Sequence, residues 1–120
     1  YYANYLRFIE RGRTDFMRLL GITHSSFARN EDTYFVVRQC NIKYLLPARL
    51  DELIEVRTSL TNIRQPILDL EQRIVRKRDT LAIARIRVAS VDGRGKIQGL
   101  PEPAYTLLKT IVPKLLVKNF

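Results

Sequence analysis

Side chains suited to nucleophilic or metal chemistry are scarce in this chain, which has one cysteine, Cys40, and one histidine, His24. A lone cysteine forms no internal disulfide, and a lone histidine completes no metal site by itself. Cys40 sits in an alternating run among apolar residues and reads as a buried structural thiol. His24 lies in the polar stretch Thr23-His24-Ser25-Ser26 and reads as a surface residue, so neither a metal site nor a nucleophile–histidine triad is expected. A reducing cytoplasm is the expected compartment. Glu10 is the only carboxylate in the opening stretch from Tyr1 to Thr14, where local pairing with Arg7 or Arg13 competes with any acid–base role. Cations that could hold an anion include Arg64, in a predicted turn, and the run Arg76-Lys77-Arg78. As a hairpin turn, that run reads mainly as solvated charge.

The net charge of +9 on 120 residues is the one extreme feature of the composition. It implies an anionic partner or surface: nucleic acid, anionic lipid, an acidic carrier protein or a phosphorylated ligand. Nucleic-acid binding calls for exposed aromatics beside the basic residues, whereas Phe16, Tyr34, Phe35 and Tyr44 fall on apolar stripes. No nucleic-acid partner is therefore expected. Apolar runs are only a few residues long, so insertion into a membrane is not expected either, although association with its surface is compatible with the charge. The length suits one domain, and the 46% apolar content is that of a globular chain.

The elements that must position these groups are legible from periodicity. Tyr5, Phe8, Ile9, Gly12, Phe16, Leu19 and Leu20 recur at helical spacing, with Gly21 as a C-cap. Gly12 on the buried face costs about 1 kcal/mol against alanine, which predicts close approach of a neighbouring backbone. The period then changes to two. Tyr34, Val36, Cys40, Ile42, Tyr44 and Leu46 are expected on one face, with Gln39, Asn41 and Lys43 on the other and Pro47 ending the strand. Further runs place Ile54, Val56, Thr58 and Leu60, then Leu68, Leu70 and Ile74, then Ala82, Ala84, Ile86 and Val88 inward. Turns are expected at Asn62–Pro66, at Arg76–Asp79 and at Asp92-Gly93. A short strand near Lys96–Gln98 and a helix after Pro101 or Pro103, carrying Tyr105, Leu107, Leu108 and Ile111, complete the reading. One long helix followed by consecutive strands, each apolar on one side, predicts an α+β domain in which the helix covers a curved antiparallel sheet.

Tyr1-Tyr2-Ala3-Asn4-Tyr5 with Glu10-Arg11-Gly12-Arg13 resembles the helix opening of the hot-dog acyl-CoA thioesterases. Phe35-Val36-Val37-Arg38, Pro47-Ala48-Arg49-Leu50-Asp51-Glu52-Leu53 and Gln72-Arg73-Ile74 extend the likeness to the 4-hydroxybenzoyl-CoA thioesterase family, in its branch associated with the bacterial Tol–Pal system. The resemblance implies a single hot-dog domain over residues 1–120 that lacks the family's N-terminal strand and catalytic loop. It implies hydrolysis of acyl-CoA thioesters, expected in the cytoplasm; the charge leaves acyl-acyl carrier protein as an alternative substrate, and the alternative of another class is a non-catalytic acyl-thioester or nucleic-acid binding module. The family's catalytic aspartate would stand shortly before Tyr1. The backbone N–H of Tyr2 takes the oxyanion position, where the branch often has histidine, and Asn4 would fix the loop carrying the aspartate. Glu10 is a reserve acid, since other branches place a catalytic carboxylate on this helix. Arg64 matches a basic position near the CoA phosphates, with Pro66 where a small hydroxyl residue is frequent. No cofactor is implied, coenzyme A being part of the substrate, and the assembly implied is a homodimer or homotetramer.

Overall fold

The computed structural model describes residues 2–19, 32–49, 52–110 and 115–119. The predicted helical stripe forms α1, Tyr2–Leu19, and the alternating runs form β1 (Tyr34–Tyr44), β2 (Glu55–Arg64), β3 (Ile67–Arg76) and β4 (Asp79–Val91). A second helix, α2 (Glu102–Thr110), and a strand β5 (Leu115–Asn119) follow. The strands make one antiparallel sheet in the order β1-β4-β3-β2-β5. This is the expected α+β hot-dog arrangement: α1 packs on one face of the curved sheet, chiefly against β2 and β3.

Tyr5, Ile9, Gly12 and Phe16 are buried and Phe8 is half-buried, so the helical stripe is the face turned to the sheet. The side chain of Leu19, with Leu20, Gly21 and His24, lies outside the described residues. Facing α1 are Val56, Thr58 and Leu60 of β2, Leu68, Leu70, Gln72 and Ile74 of β3, and Ala82, Ala84, Ile86 and Val88 of β4, all buried. Gly12 is needed for a close approach, but side chains make it rather than backbone. A Cβ there would stand 2.7 Å from Val56 Cγ1, 3.1 Å from Gln72 Nε2 and 3.3 Å from Thr58 Oγ1.

The expected face of β1 needs correction. A bulge between Val37 and Gln39 inserts one residue and reverses the alternation. Phe35 and Val37 therefore share the helix-facing side with Cys40, Ile42 and Tyr44, while Tyr34 and Val36 turn to the other face, opposite Val91 and Ala89. Cys40 is exposed, not buried. The reason is topological: β1 is an edge strand, and α1 covers β2 and β3 instead.

The β3–β4 turn falls where predicted, with Lys77 at φ 52°, whereas the turn expected at Asn62–Pro66 is confined to Gln65-Pro66 because β2 stays paired with β3 through Arg64. After β4 the turn rests on Asp92, whose Oδ1 accepts the N–H groups of Arg94 (2.8 Å) and Lys96 (3.0 Å). Gly95 supplies the left-handed residue there, at φ 83°. The strand expected near Lys96–Gln98 is reduced to one bridge, Val91 to Ile97. In α2, Ala104 and Leu108 are buried and Leu107 is exposed, and Ile111 lies outside the described residues.

Candidate active site

Tyr2 opens α1, and the first N–H groups of a helix have no partner within it. The aligned peptide dipoles add a partial positive charge at that end, and the first turn carries no acidic side chain to cancel it. Such an end can stabilise an oxyanion, provided the fold holds it still.

Three contacts do the holding. Tyr5 is fully buried and donates its hydroxyl to the carbonyl of Leu46 at 2.7 Å, just beyond β1. Its ring stacks on Tyr44, with centroids 5.9 Å apart and planes at 22°. Further along, Gln72 Nε2 donates to the carbonyl of Ile9 at 2.9 Å. The segment after β1 is itself clasped. Arg76 donates to Glu52 Oε1 at 2.9 Å, to the carbonyl of Pro47 at 3.3 Å and to Asp79 Oδ2 at 3.4 Å, while Glu52 Oε1 also accepts the N–H of Arg49 at 2.6 Å. Desolvation pushes the Glu52 carboxyl up, but the hydrogen bonds from Arg49 and Arg76, with both positive charges, outweigh it and hold the group below its ordinary range. Arg76 is correspondingly raised, first by its hydrogen bond to Glu52. The predicted basic cluster is thus divided: Arg76 is half-buried in a clasp, while Lys77 and Arg78 face solvent.

The other sequence-predicted residues are dispersed. Glu10 is exposed, about 12 Å along the helix from Tyr2 at 1.5 Å per residue. Its charge acts on Arg13, whose guanidinium is lowered by desolvation against the raising effect of Glu10 and of Cys40. Arg64 is the last residue of β2, paired with Ile67, and is exposed just before the turn to β3 rather than in it. The register puts Tyr44, Ala82, Ile74 and Val56 at the end of the sheet that holds the start of α1, and Arg64 at the opposite end. Eight strand residues separate Val56 from Arg64, about 26 Å. Tyr2 and Arg64 are therefore not brought together within one chain. The side chains of Tyr2 and Asn4 lie outside the described residues. Among the described residues, no group of His, Cys, Asp and Glu is placed to hold a metal ion.

Sequence reasoning missed the tethers: the Tyr5 hydroxyl, the Arg76 clasp and the inward amide of Gln72. Only Gln72 left a signal, an amide at an inward position between Leu70 and Ile74.

The sequence model of the thioesterase superfamily matches residues 1–83. Over 103 residues the chain is 35% identical to the acyl-CoA thioesterase YbgC of Haemophilus influenzae, covering 86% of this chain and 75% of that protein. It is 38% identical over 97 residues to the acyl-CoA thioester hydrolase YbgC of Escherichia coli, covering 77% of this chain and 69% of that one. Among solved structures, a probable thioesterase from Bartonella henselae superposes with a TM-score of 0.79 at 32% identity, over 84% of each chain. Sequence, fold and the helix opening agree, and the chain belongs to the thioesterase superfamily.

Proposed function

We propose that this protein is a cytoplasmic acyl-CoA thioesterase, releasing free acid and coenzyme A. The observation that carries the reading is the N-terminus of α1, free of acidic side chains in its first turn and anchored to the sheet, in a chain whose relatives are named for this activity. Water adds to the thioester carbonyl carbon as a carboxylate takes its proton. The carbonyl oxygen becomes an oxyanion, and the N–H of Tyr2 donates to it. Collapse of the tetrahedral species breaks the C–S bond, and the departing sulfur takes up the proton as the CoA thiol. The family resemblance assigns the carboxylate to an aspartate upstream of Tyr1, with Glu10 the reserve on this chain. Arg64, at the far end of the sheet, belongs to the nucleotide end of CoA rather than to the carbonyl.

The functional unit in this reading is a homodimer built on β1. Among the described residues that strand stands at the edge of the sheet, and Val37 (45%) and Cys40 are exposed on its helix-facing side. An edge of this kind pairs readily with a second copy.

The test is release of free thiol by the full-length protein across acyl-CoAs of varied chain length and aryl-CoAs. Turnover of at least one supports the reading, and no turnover of any overturns it. The +9 charge favours a second reading, an acidic acyl carrier protein as donor. A steep loss of activity on acyl-carrier substrate with added salt, absent with free CoA esters, would select it.

A further inference from the structure

Gln72 occupies the middle of β3 with no exposed surface, at a position where its neighbours on the same face, Leu70 and Ile74, are apolar. Its Nε2 donates to the carbonyl of Ile9 and to Thr58 Oγ1, each at 2.9 Å. Among the described residues its Oε1 is buried without a partner. An unpartnered buried oxygen costs stability, and a leucine or methionine would fill the same space without it. The amide is therefore poor as a core residue, and its contacts point to a different role.

The carbonyl it grips lies mid-helix and already accepts an intrahelical N–H, so the amide uses the second lone pair. Reaching it requires a gap in the helix surface, and Gly12 makes that gap: a Cβ there would come within 3.1 Å of Nε2. Apolar contacts between α1 and the sheet are non-directional and define the depth of a helix less sharply than a hydrogen bond does. Together with the Tyr5 hydroxyl on Leu46, the Gln72 hydrogen bond fixes both height and register of α1 at two points. Ile9 stands seven residues from Tyr2, about 10 Å along the helix, so the grip sets where the first-turn N–H groups sit.

We infer that Gln72 is a positioning residue for thioester hydrolysis, holding α1 at the depth where the Tyr2 N–H meets the developing oxyanion. This rests on the thioesterase reading, which wild-type turnover tests separately. An active wild type with an unaffected Gln72 variant sinks the positioning role alone.

The experiment uses the full-length protein with an acyl-CoA it turns over. Gln72→Met should remain folded, with a circular-dichroism spectrum like that of the wild type, yet lower kcat roughly 10- to 100-fold with KM little changed, as expected for a misplaced catalytic group. Gln72→Glu supplies the rescue. Protonated, its carboxyl can donate to Ile9 as the amide does; ionised, it repels that carbonyl. Its kcat relative to wild type at the same pH should therefore recover as pH falls. Wild-type kcat in the Met variant, or no recovery of the Glu variant at low pH, overturns the inference.

Discussion

Glu52 joins the N–H of Arg49 to the guanidinium of Arg76, and the charged carboxylate is what both donors need. Its pKa is depressed in the folded protein, so its stabilisation is present above the ordinary carboxylate range and is lost as pH falls through the folded value. Glu52→Gln should therefore lower the unfolding midpoint near neutral pH by an amount that shrinks once the pH falls below the ordinary carboxylate range, as the wild-type carboxylate takes up its proton. Thermal unfolding followed across pH checks this, and a difference independent of pH would contradict it. Such residues show what is illegible in sequence. Arg76 stands in a run of three cations, and nothing local separates the one that reaches back across 24 residues to Glu52 from the two that face water. Cys40 misleads for the same reason: its alternation is genuine, but exposure depends on which strand the helix covers.

At the scale of elements, α1 and the inward faces of β2, β3 and β4 are legible because a half-buried helix or strand writes its period into the sequence. The failures are local events that break the period. The bulge in β1 moves Tyr34 and Val36 to the opposite face through one inserted residue. The five-residue β5 pairs with β2 after Pro113, too short for alternation to separate it from a helix tail. The bulge also brings Val37 to the helix-facing side of β1, where it is exposed, and a prediction follows there. Val37→Lys puts a charge on the helix-facing side of the edge strand, a device that blocks strand pairing. Dimer dissociation should be at least about tenfold easier, equivalent to about 1.4 kcal/mol, with thermal stability of the isolated subunit little altered. Light scattering or sedimentation over a dilution series reads the change, and an unshifted dimer would remove β1 from the interface.

The whole molecule is a device for holding one helix. Its sheet supplies an apolar bed, with Gln72 of that bed gripping Ile9, and the Arg76 clasp ties down the segment that receives the Tyr5 hydroxyl. The residues that carry the family resemblance run from Tyr1 to Ile74, and family membership is legible in their types and order alone. The site is legible only in part, since the acid that would drive attack is assigned upstream of Tyr1 and Arg64 lies at the other end of the sheet. In the proposed reading the start of α1 is the oxyanion donor. Replacing the amide of Tyr2 by an ester through semisynthesis removes that one N–H and leaves the side chains in place. The kcat for an acyl-CoA substrate should fall about 10²- to 10³-fold with KM nearly unchanged, the usual loss for one oxyanion donor. An ester variant as fast as the native protein would contradict the assignment of α1 as the oxyanion site.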